Sequence, residues 1–418
     1  MSAATAASPQ QGALHGIRVI ELANEKCAWA GKLLADMGAD VILVEPPSGD
    51  AARSYGPFLG DEPGADRSLY WWHHHTSKRG IVLDLASEAG RSAFRKLAAS
   101  ADVLLEAEAP GALAALQLDY PDLARAKPDL IHCAITPFGR NTSRSGELAT
   151  DLTVIAAGGP AWMNGYDDHS LPPVRGLGNQ GWAMGCHYGV LSILTAIVYR
   201  SVSGEGQFID VSLHAAANVT TEVGSYGWLV AKQTALRATG RHAAPVPTMP
   251  SQMKCADGRY VNTGVPPRKP AEFGKLLAWL RALGLEPEFA EAVFLQMGAD
   301  RASIDLSKIG QDEELTAIFG AGREAMNFIA SRVSAQEFFL GAQRAGLAVG
   351  AILSPEEAYE DAHFKARGFQ VEVHHPEHGR SFRYPGAPYA LQKGAWRISR
   401  RAPRLGEHTA EVLREIGL

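Results

Sequence analysis

The chain has 418 residues, 46% hydrophobic and 20% charged, with a net charge of −5. That length allows two domains or one large domain with an excursion, and the acidic balance argues against broad nucleic-acid binding. The four cysteines (Cys27, Cys133, Cys186, Cys255) lie far apart with no CxxC pair, which excludes zinc-finger spacing and reads as reduced, buried thiols of a cytoplasmic protein.

Met1 to Gln11 is rich in Ala, Ser and Gln. It lacks the basic region and apolar core of a signal peptide, and the first 14 residues read as a disordered tail. Gly16 to Leu22 is a β-branched run, Cys27 to Met37 an Ala-rich helical stretch, Gly38 a stop, and Asp40 to Glu45 a second strand. Strand, helix, strand with short joints predicts a βαβ unit and hence a parallel sheet. The loop between first strand and helix, Ala23 to Cys27, contains no glycine. The dinucleotide fingerprint is therefore missing, and NAD is not expected.

A Gly, Pro and Asp-rich loop (46–67) leads to Tyr70-Trp71-Trp72 and then His73-His74-His75. On an extended segment consecutive side chains alternate faces, so packing and hydrogen bonding, rather than a metal, are expected of the three histidines. No metal site is expected elsewhere. Lys78 and Arg79 precede the strand Ile81 to Leu85, where they are placed to neutralise phosphates; a solvated surface pair is the alternative. An amphipathic helix (88–100), a strand (101–106) and another strand (129–135) follow.

Asp151 then stands at the mouth of an apolar run that ends in Gly158 and Gly159. One reading is an aspartate capping a helix that begins at Leu152. The other is a lone activated carboxylate, with the Gly158 and Gly159 amides as oxyanion donors. Gly181 to Arg200 is a long apolar helix, interrupted by His187 and short of a membrane span. After a strand ending at Leu213 the texture changes near Val223, where Pro- and Gly-rich loops and mixed helices indicate a second, smaller domain. Strand-and-loop character returns at Val371 to Tyr389, and a helix (406–416) closes the chain. There is no G-x-S-x-G, P-loop or H-E-x-x-H motif. What remains is carboxylate chemistry: a nucleophile toward an activated acyl group, or a general base if a histidine lies beside it.

Several stretches, in order along nearly the whole chain, resemble the class III CoA-transferases, the family of formyl-CoA transferase and the carnitine CoA-transferases. They are 16–22 with 33–45, Ser77-Lys-Arg-Gly-Ile-Val-Leu-Asp-Leu85, Ala101-Asp-Val-Leu-Leu-Glu106, Pro172-Pro-Val-Arg175, Gly204-Glu-Gly-Gln-Phe-Ile-Asp-Val-Ser-Leu213 and 401–413. The resemblance implies an α/β subunit whose Rossmann-like large domain (15–222 and 345–418) is built from both chain ends. A smaller central α+β domain (223–344) follows, and two subunits interlock as a dimer. It also implies that Asp151 is the nucleophile, taking an acyl group from a CoA thioester as an anhydride and then carrying CoA as an aspartyl thioester. CoA thioester enters as substrate, a carboxylic acid is the acceptor, and no permanently bound cofactor is implied. The related racemases carry Gly-His-Asp where this chain has Ala149-Thr150-Asp151, so transfer is the better reading than racemisation.

The departures concern CoA. Pro46 and Pro47 follow Glu45 where the family has a basic residue, and Glu106-Ala-Glu-Ala-Pro-Gly111 replaces Glu-Asn-Phe-Arg-Pro-Gly. Arg53, Lys78, Arg79 and Arg140 are the expected phosphate contacts, with Arg125 and Lys127 as substitutes. The chain is expected to act as a homodimer or in a heteromer with a paralogue that supplies the fuller CoA site, as the benzylsuccinate CoA-transferases pair two family subunits. Tyr70, Trp71, Trp72, Trp162, Trp182 and Tyr188 line an acid pocket or pack the core, and His242 is a lid element facing the site.

Overall fold

A computed structural model describes residues 11–241, 243–245, 250–263 and 266–418. His242 lies outside them, as do the first ten residues. Residues 12–14 are packed rather than loose. Leu14 donates its N–H to the Met37 carbonyl at 3.0 Å and rests on the core, so the predicted tail to residue 14 extends too far.

Six strands form one parallel sheet in the order β3-β2-β1-β4-β5-β6. They are β1 (Arg18–Leu22), β2 (Asp40–Glu45), β3 (Arg79–Val82), β4 (Val103–Glu106), β5 (Ile131–Thr136) and β6 (Gln207–Ser212). The interiors of β1, β2 and β4 are runs of Val, Ile and Leu with almost no exposure, because the middle of a parallel sheet is covered on both faces, whereas the edge strand β6 is mostly half-buried. Helices α1 (Ala28–Asp36), α2 (Leu69–His74), α3 (Glu88–Ala99), α4 (Asp151–Gly158), α5 (Gln180–Ser203) and α6 (Leu213–Val219) connect or flank them. The core on one side joins Leu34, Val41 and Leu105 to Trp182, Cys186 and Ile193 of α5. The other side centres on Phe94, Leu97 and Leu104. The order reverses between β1 and β4, the point at which such sheets bind ligands beyond the strands' carboxyl ends.

One local expectation is corrected. Leu69–His74 is helical, with the Ser68 hydroxyl accepting the Trp71 amide at 3.1 Å, so the histidines leave a helix turn rather than an extended segment. The apolar helix α5 runs for 24 residues, long and apolar enough by length and composition to cross a membrane. It packs through Trp182, Cys186, Val190 and Ile193 into the core of this α/β unit, the placement of a core helix, which accords with the expectation that it is not a span.

The chain divides into two compact units. One runs to Trp162 and adds Val174–Ser225 and Ala362–Leu418; the other comprises Met163–Pro173 and Tyr226–Asp361. In the second unit β7 (Gln252–Lys254), β8 (Tyr260–Thr263) and β9 (Val349–Ala351) make an antiparallel sheet. Its core is closed by α7 (Pro270–Ala282), α8 (Ala292–Asp300), α9 (Glu313–Ala330) and α10 (Ala335–Arg344) around Phe273, Leu277, Ile318 and Phe338. Because β9 pairs with β8, residues 345–361 belong here and not with the large domain. The first unit ends with an antiparallel hairpin, β10 (Gln370–His375) and β11 (Arg380–Pro385), and with α11 (Thr409–Glu415).

Candidate active site

Asp151 is the first residue of α4, and Thr150, not Asp151, is its cap. The Thr150 hydroxyl accepts the Thr153 amide while Thr153 Oγ1 accepts the Thr150 amide, a reciprocal box. The Asp151 side chain is thereby free to turn elsewhere. It is 6% exposed, with Oδ2 accepting Arg175 Nη1 at 2.7 Å and Oδ1 accepting the Trp182 amide at 3.0 Å. Trp182 lies in the first turn of α5, whose own N-cap, Asn179, makes no side-chain cap bond. The carboxylate thus caps a 24-residue helix from a distance, between a guanidinium and two positive helix ends.

Gly181 makes this approach possible. A β-carbon there would sit 3.0 Å from Asp151 Oδ1 and 3.3 Å from Ile155 Cγ1, so only glycine lets the α5 backbone reach the carboxylate without displacing it. Arg175 and Gly181 were not singled out as site residues in the sequence. The signal available was Arg175's place in the Pro172-Pro-Val-Arg175 block.

Gly158 and Gly159 do not meet Asp151. They end α4, seven and eight residues on, roughly 10 Å along the helix axis. Their small size serves packing: a β-carbon on Gly158 would be 2.8 Å from Ala217 Cβ, and Gly159 has φ +107° as the helix stop. The oxyanion role expected of their amides is corrected on that geometry.

The four expected phosphate contacts are all engaged within the unit. Lys78 is fully buried, with Nζ donating to Glu21 Oε1 at 2.8 Å and the Ala28 carbonyl at 3.0 Å. Burial, opposed by Lys78, pushes Glu21 up to about 7. Arg53 forks onto both Glu45 oxygens at 2.7 Å and lies 3.9 Å over the Trp71 ring. Arg79 bonds Asp40, Glu411 and Glu415 at the amino end of the sheet, away from the carboxyl ends. Arg140 forks onto Asp119 at 2.9 and 2.6 Å, yet it also lines a cavity of about 290 Å³ with Gly111, Tyr120, Asn141 and Phe208. That cavity sits at the loops following β4 and β5. Of the substitutes, Arg125 bonds Asp122 and Lys127 bonds Asp129.

The carboxyl edge is acidic. Glu45 and Glu106 end their strands and Glu21 stands one residue before the end of β1, all three almost unexposed. Burial raises Asp50, and burial together with neighbouring Glu106 raises Glu108.

The aromatic residues do not form one pocket. Trp71 and Trp72 are buried, the first stacked on His75 and the second tilted against His375, and Trp182 lies in the core. Tyr70 stacks on His74 at 4.1 Å and accepts Asn179 Nδ2 at 3.0 Å. Trp162 is 52% exposed, and Tyr188 lines an apolar groove of about 570 Å³ between α5, β6 and α6. The histidine run packs and bonds, as its sequence suggests: His73 stacks on Trp29 and His75 bonds Lys78.

Residues 14–409 match the model of CoA-transferase family III. The chain is 32% identical over 402 residues to the succinyl-CoA:(R)-benzylsuccinate CoA-transferase subunit BbsE of Thauera aromatica, covering 96% of this chain and 93% of that one. It is 30% identical over 414 residues to a succinate–glutarate CoA-transferase of Agrobacterium fabrum, covering 96% and 95%. Among solved structures it resembles a CaiB/BaiF family protein from Brucella suis, with a TM-score of 0.77, 25% identity and coverage of 97% and 100%.

Proposed function

This chain belongs to CoA-transferase family III, and from that premise we propose that it transfers CoA between carboxylic acids through covalent intermediates on Asp151. The observation that carries the reading is the Asp151 carboxylate, buried and held between Arg175 and the Trp182 amide.

In the reaction proposed, an Asp151 oxygen attacks the thioester carbonyl of an acyl-CoA. The C–S bond breaks, leaving an acyl-aspartyl anhydride and CoA thiolate. The thiolate attacks the aspartyl carbonyl, releasing the donor acid as carboxylate and forming an aspartyl-CoA thioester. The acceptor carboxylate attacks that carbonyl and expels the thiolate, giving a second anhydride. Attack of the thiolate on the acceptor's acyl carbon forms the new acyl-CoA and restores Asp151. Each step exchanges acyl carriers of comparable energy, which divides one difficult transfer into easier ones. No proton is abstracted from carbon. Among the described residues no histidine or second carboxylate bonds Asp151, which favours transfer over racemisation.

Arg175, whose side chain is 35% exposed, would let go of Oδ2 as that oxygen attacks and hold the negative charge that develops. Arg140 and its cavity would take a phosphate or the adenine of CoA, whereas Lys78, Arg53 and Arg79 would shape the loops through their internal pairs. Succinyl-CoA, named in several relatives, is the donor proposed, with a carboxylic acid acceptor and no resident cofactor. The four free buried cysteines accord with a cytoplasmic setting.

We further propose assembly with a second family chain, as an interlocked homodimer or a heteromer of two-domain subunits. The exposed apolar face of α5 (Leu191, Val198, Val202) beside the edge strand β6 supports a partner. The acidic carboxyl edge, where Arg53 and Lys78 are already paired with Glu45 and Glu21, favours a paralogue that completes the CoA site. The test is to incubate purified protein with succinyl-CoA, trap with hydroxylamine or borohydride, and map the Asp151 peptide by mass spectrometry. A modified Asp151 supports the stand-alone enzyme. Modification that appears only when a genomic-neighbour paralogue is added supports the heteromer, and none in either case removes the covalent reading.

A further inference from the structure

The hairpin of β10 and β11 turns through a short helical segment, Pro376–His378, closed by Gly379 at φ +60°. The turn folds His378 and Glu377 back toward His375, so that one potential ligand atom from each lies within 4.8 Å of the others. His375 is the inner member and has no exposure. Its Nε2 lies 2.9 Å from the Tyr384 hydroxyl, and its ring packs on Trp72 and Phe382. Its Nδ1 is buried and makes no hydrogen bond, yet it faces Glu377 Oε1 at 3.3 Å.

That juxtaposition needs an explanation. With the Tyr384 O–H donating to Nε2, Nδ1–H faces the carboxylate oxygen; with Nε2–H donating to Tyr384, Nδ1 presents a lone pair to it, and a cation between them removes the repulsion. A metal-bound histidine usually donates its other ring N–H in this way, which fixes the tautomer and aims the ligating nitrogen. The carboxylate is oriented too. Glu377 Oε2 accepts Arg401 Nε at 3.0 Å, and Arg401 is itself forked onto Glu407, which leaves Oε1 turned toward the imidazole. Two ligands at the usual 2.0–2.1 Å from a tetrahedral zinc ion stand about 3.3 Å apart, and 3.3 Å separates Nδ1 from Oε1. His378 is half-buried beside Trp72, at a ring separation of 5.5 Å, and can close the remaining gap by turning its ring.

We propose that His375 Nδ1, Glu377 Oε1 and an imidazole nitrogen of His378 form a site for a divalent transition metal, zinc being the ion that two imidazoles and one carboxylate suit best. This ligand set belongs to neither the transfer chemistry nor the CoA cavity. All three ligands come from the turn between β10 and β11, which packs beside Trp72 of α2, so the ion would tie that turn together.

Untagged full-length protein, stripped with a chelator, should be titrated with Zn²⁺ against a chromogenic competitor, and with Co²⁺ while visible absorption is followed. The expected result is one equivalent per chain, with a cobalt spectrum of tetrahedral intensity. Glu377→Gln and His378→Ala, checked for folding by circular dichroism, should each weaken affinity about 100-fold, while His374→Ala, an exposed neighbour, leaves it unchanged. Absence of stoichiometric binding by the wild-type chain, or binding undiminished in folded His378→Ala, overturns the assignment.

Discussion

Arg175 Nη1 stands 2.7 Å from Asp151 Oδ2, and it joins a partly exposed cation to a buried carboxylate. The pair holds the proposed nucleophile in place yet can open, because the guanidinium has solvent to move into. Arg175→Ala should therefore keep the fold while losing roughly 1.5–3 kcal/mol, the usual worth of a hydrogen bond to a charged partner. CoA transfer should fall on the order of 100-fold in kcat, with a smaller change in KM for acyl-CoA. Arg175→Lys, which keeps a point charge but not the fork, should recover part of the rate. Steady-state kinetics beside a thermal melt reads both effects; a rate unchanged in the alanine variant would separate Arg175 from the chemistry.

Asp151→Asn isolates chemistry from structure. The carboxamide oxygen can still accept the Trp182 amide, so the capping of α5 survives, whereas the proposed nucleophile is lost. Transfer should drop by about 10³-fold or more, with Tm shifted by only a few degrees and no trapped adduct on the Asp151 peptide. Gly181→Ala works in the opposite way: its new β-carbon would press on Asp151 Oδ1 at 3.0 Å, shifting the proposed nucleophile while leaving it chemically intact. An adduct that forms slowly, rather than not at all, is the expected outcome there.

The contrast between these residues shows what a sequence exposes. The βαβ start was legible because β-branched runs and Gly38 act locally, and β1, α1 and β2 fall where that pattern puts them. Lys78 and Arg79 were legible as charges but not as pairs. Their partners arrive from distant parts of the chain, Glu415 lying 336 residues beyond Arg79, and no local pattern announces such a contact. Asp151 stood out through its surroundings, while Arg175, 24 residues on, gained its role only when the chain folded back. The Leu69–His74 helix was hidden because Trp and His are indifferent helix formers and Ser68 supplies the start. The His375, Glu377 and His378 group was hidden for a different reason, since its ligands converge through a hairpin turn with no established spacing.

Lys78 and Arg140 should part company when mutated. Lys78→Met removes the countercharge of a buried carboxylate, Glu21, and is expected to cost about 3–5 kcal/mol. Glu21 sits near 7 even with its partner, so protonation relieves the loss at low pH, and the variant should melt closer to wild type at pH 6 than at pH 8. Arg140→Ala opens the 290 Å³ cavity at the loops after β4 and β5. It should raise KM for acyl-CoA on the order of tenfold, about 1.4 kcal/mol, with little change in Tm. Melting curves at two pH values and initial rates against acyl-CoA concentration distinguish the two. An unchanged KM in Arg140→Ala would remove that arginine from the CoA site.

His74 makes the acid side of the stability profile predictable. Burial pushes it down to about 4, and the Tyr70 carbonyl opposes this only in part. Burial likewise holds His73 near 3. Between pH 6.5 and 4 the unfolded chain binds protons at these rings and the folded chain does not, so stability must rise with pH across that window. The contribution is complete above about 6.5 and lost as the solution is acidified toward 4. Each pKa unit is worth about 1.4 kcal/mol, which puts the loss from His74 alone at roughly 2–3 kcal/mol by pH 4. His74→Phe preserves the stacking on Tyr70, now at 4.1 Å between ring centres, and abolishes the titration. Urea unfolding at half-unit steps from pH 4 to 7.5 should show a shallower acid slope for His74→Phe than for wild type, with the curves converging in slope above pH 7. Parallel slopes throughout would mean that His74 is solvated enough to protonate in the folded protein.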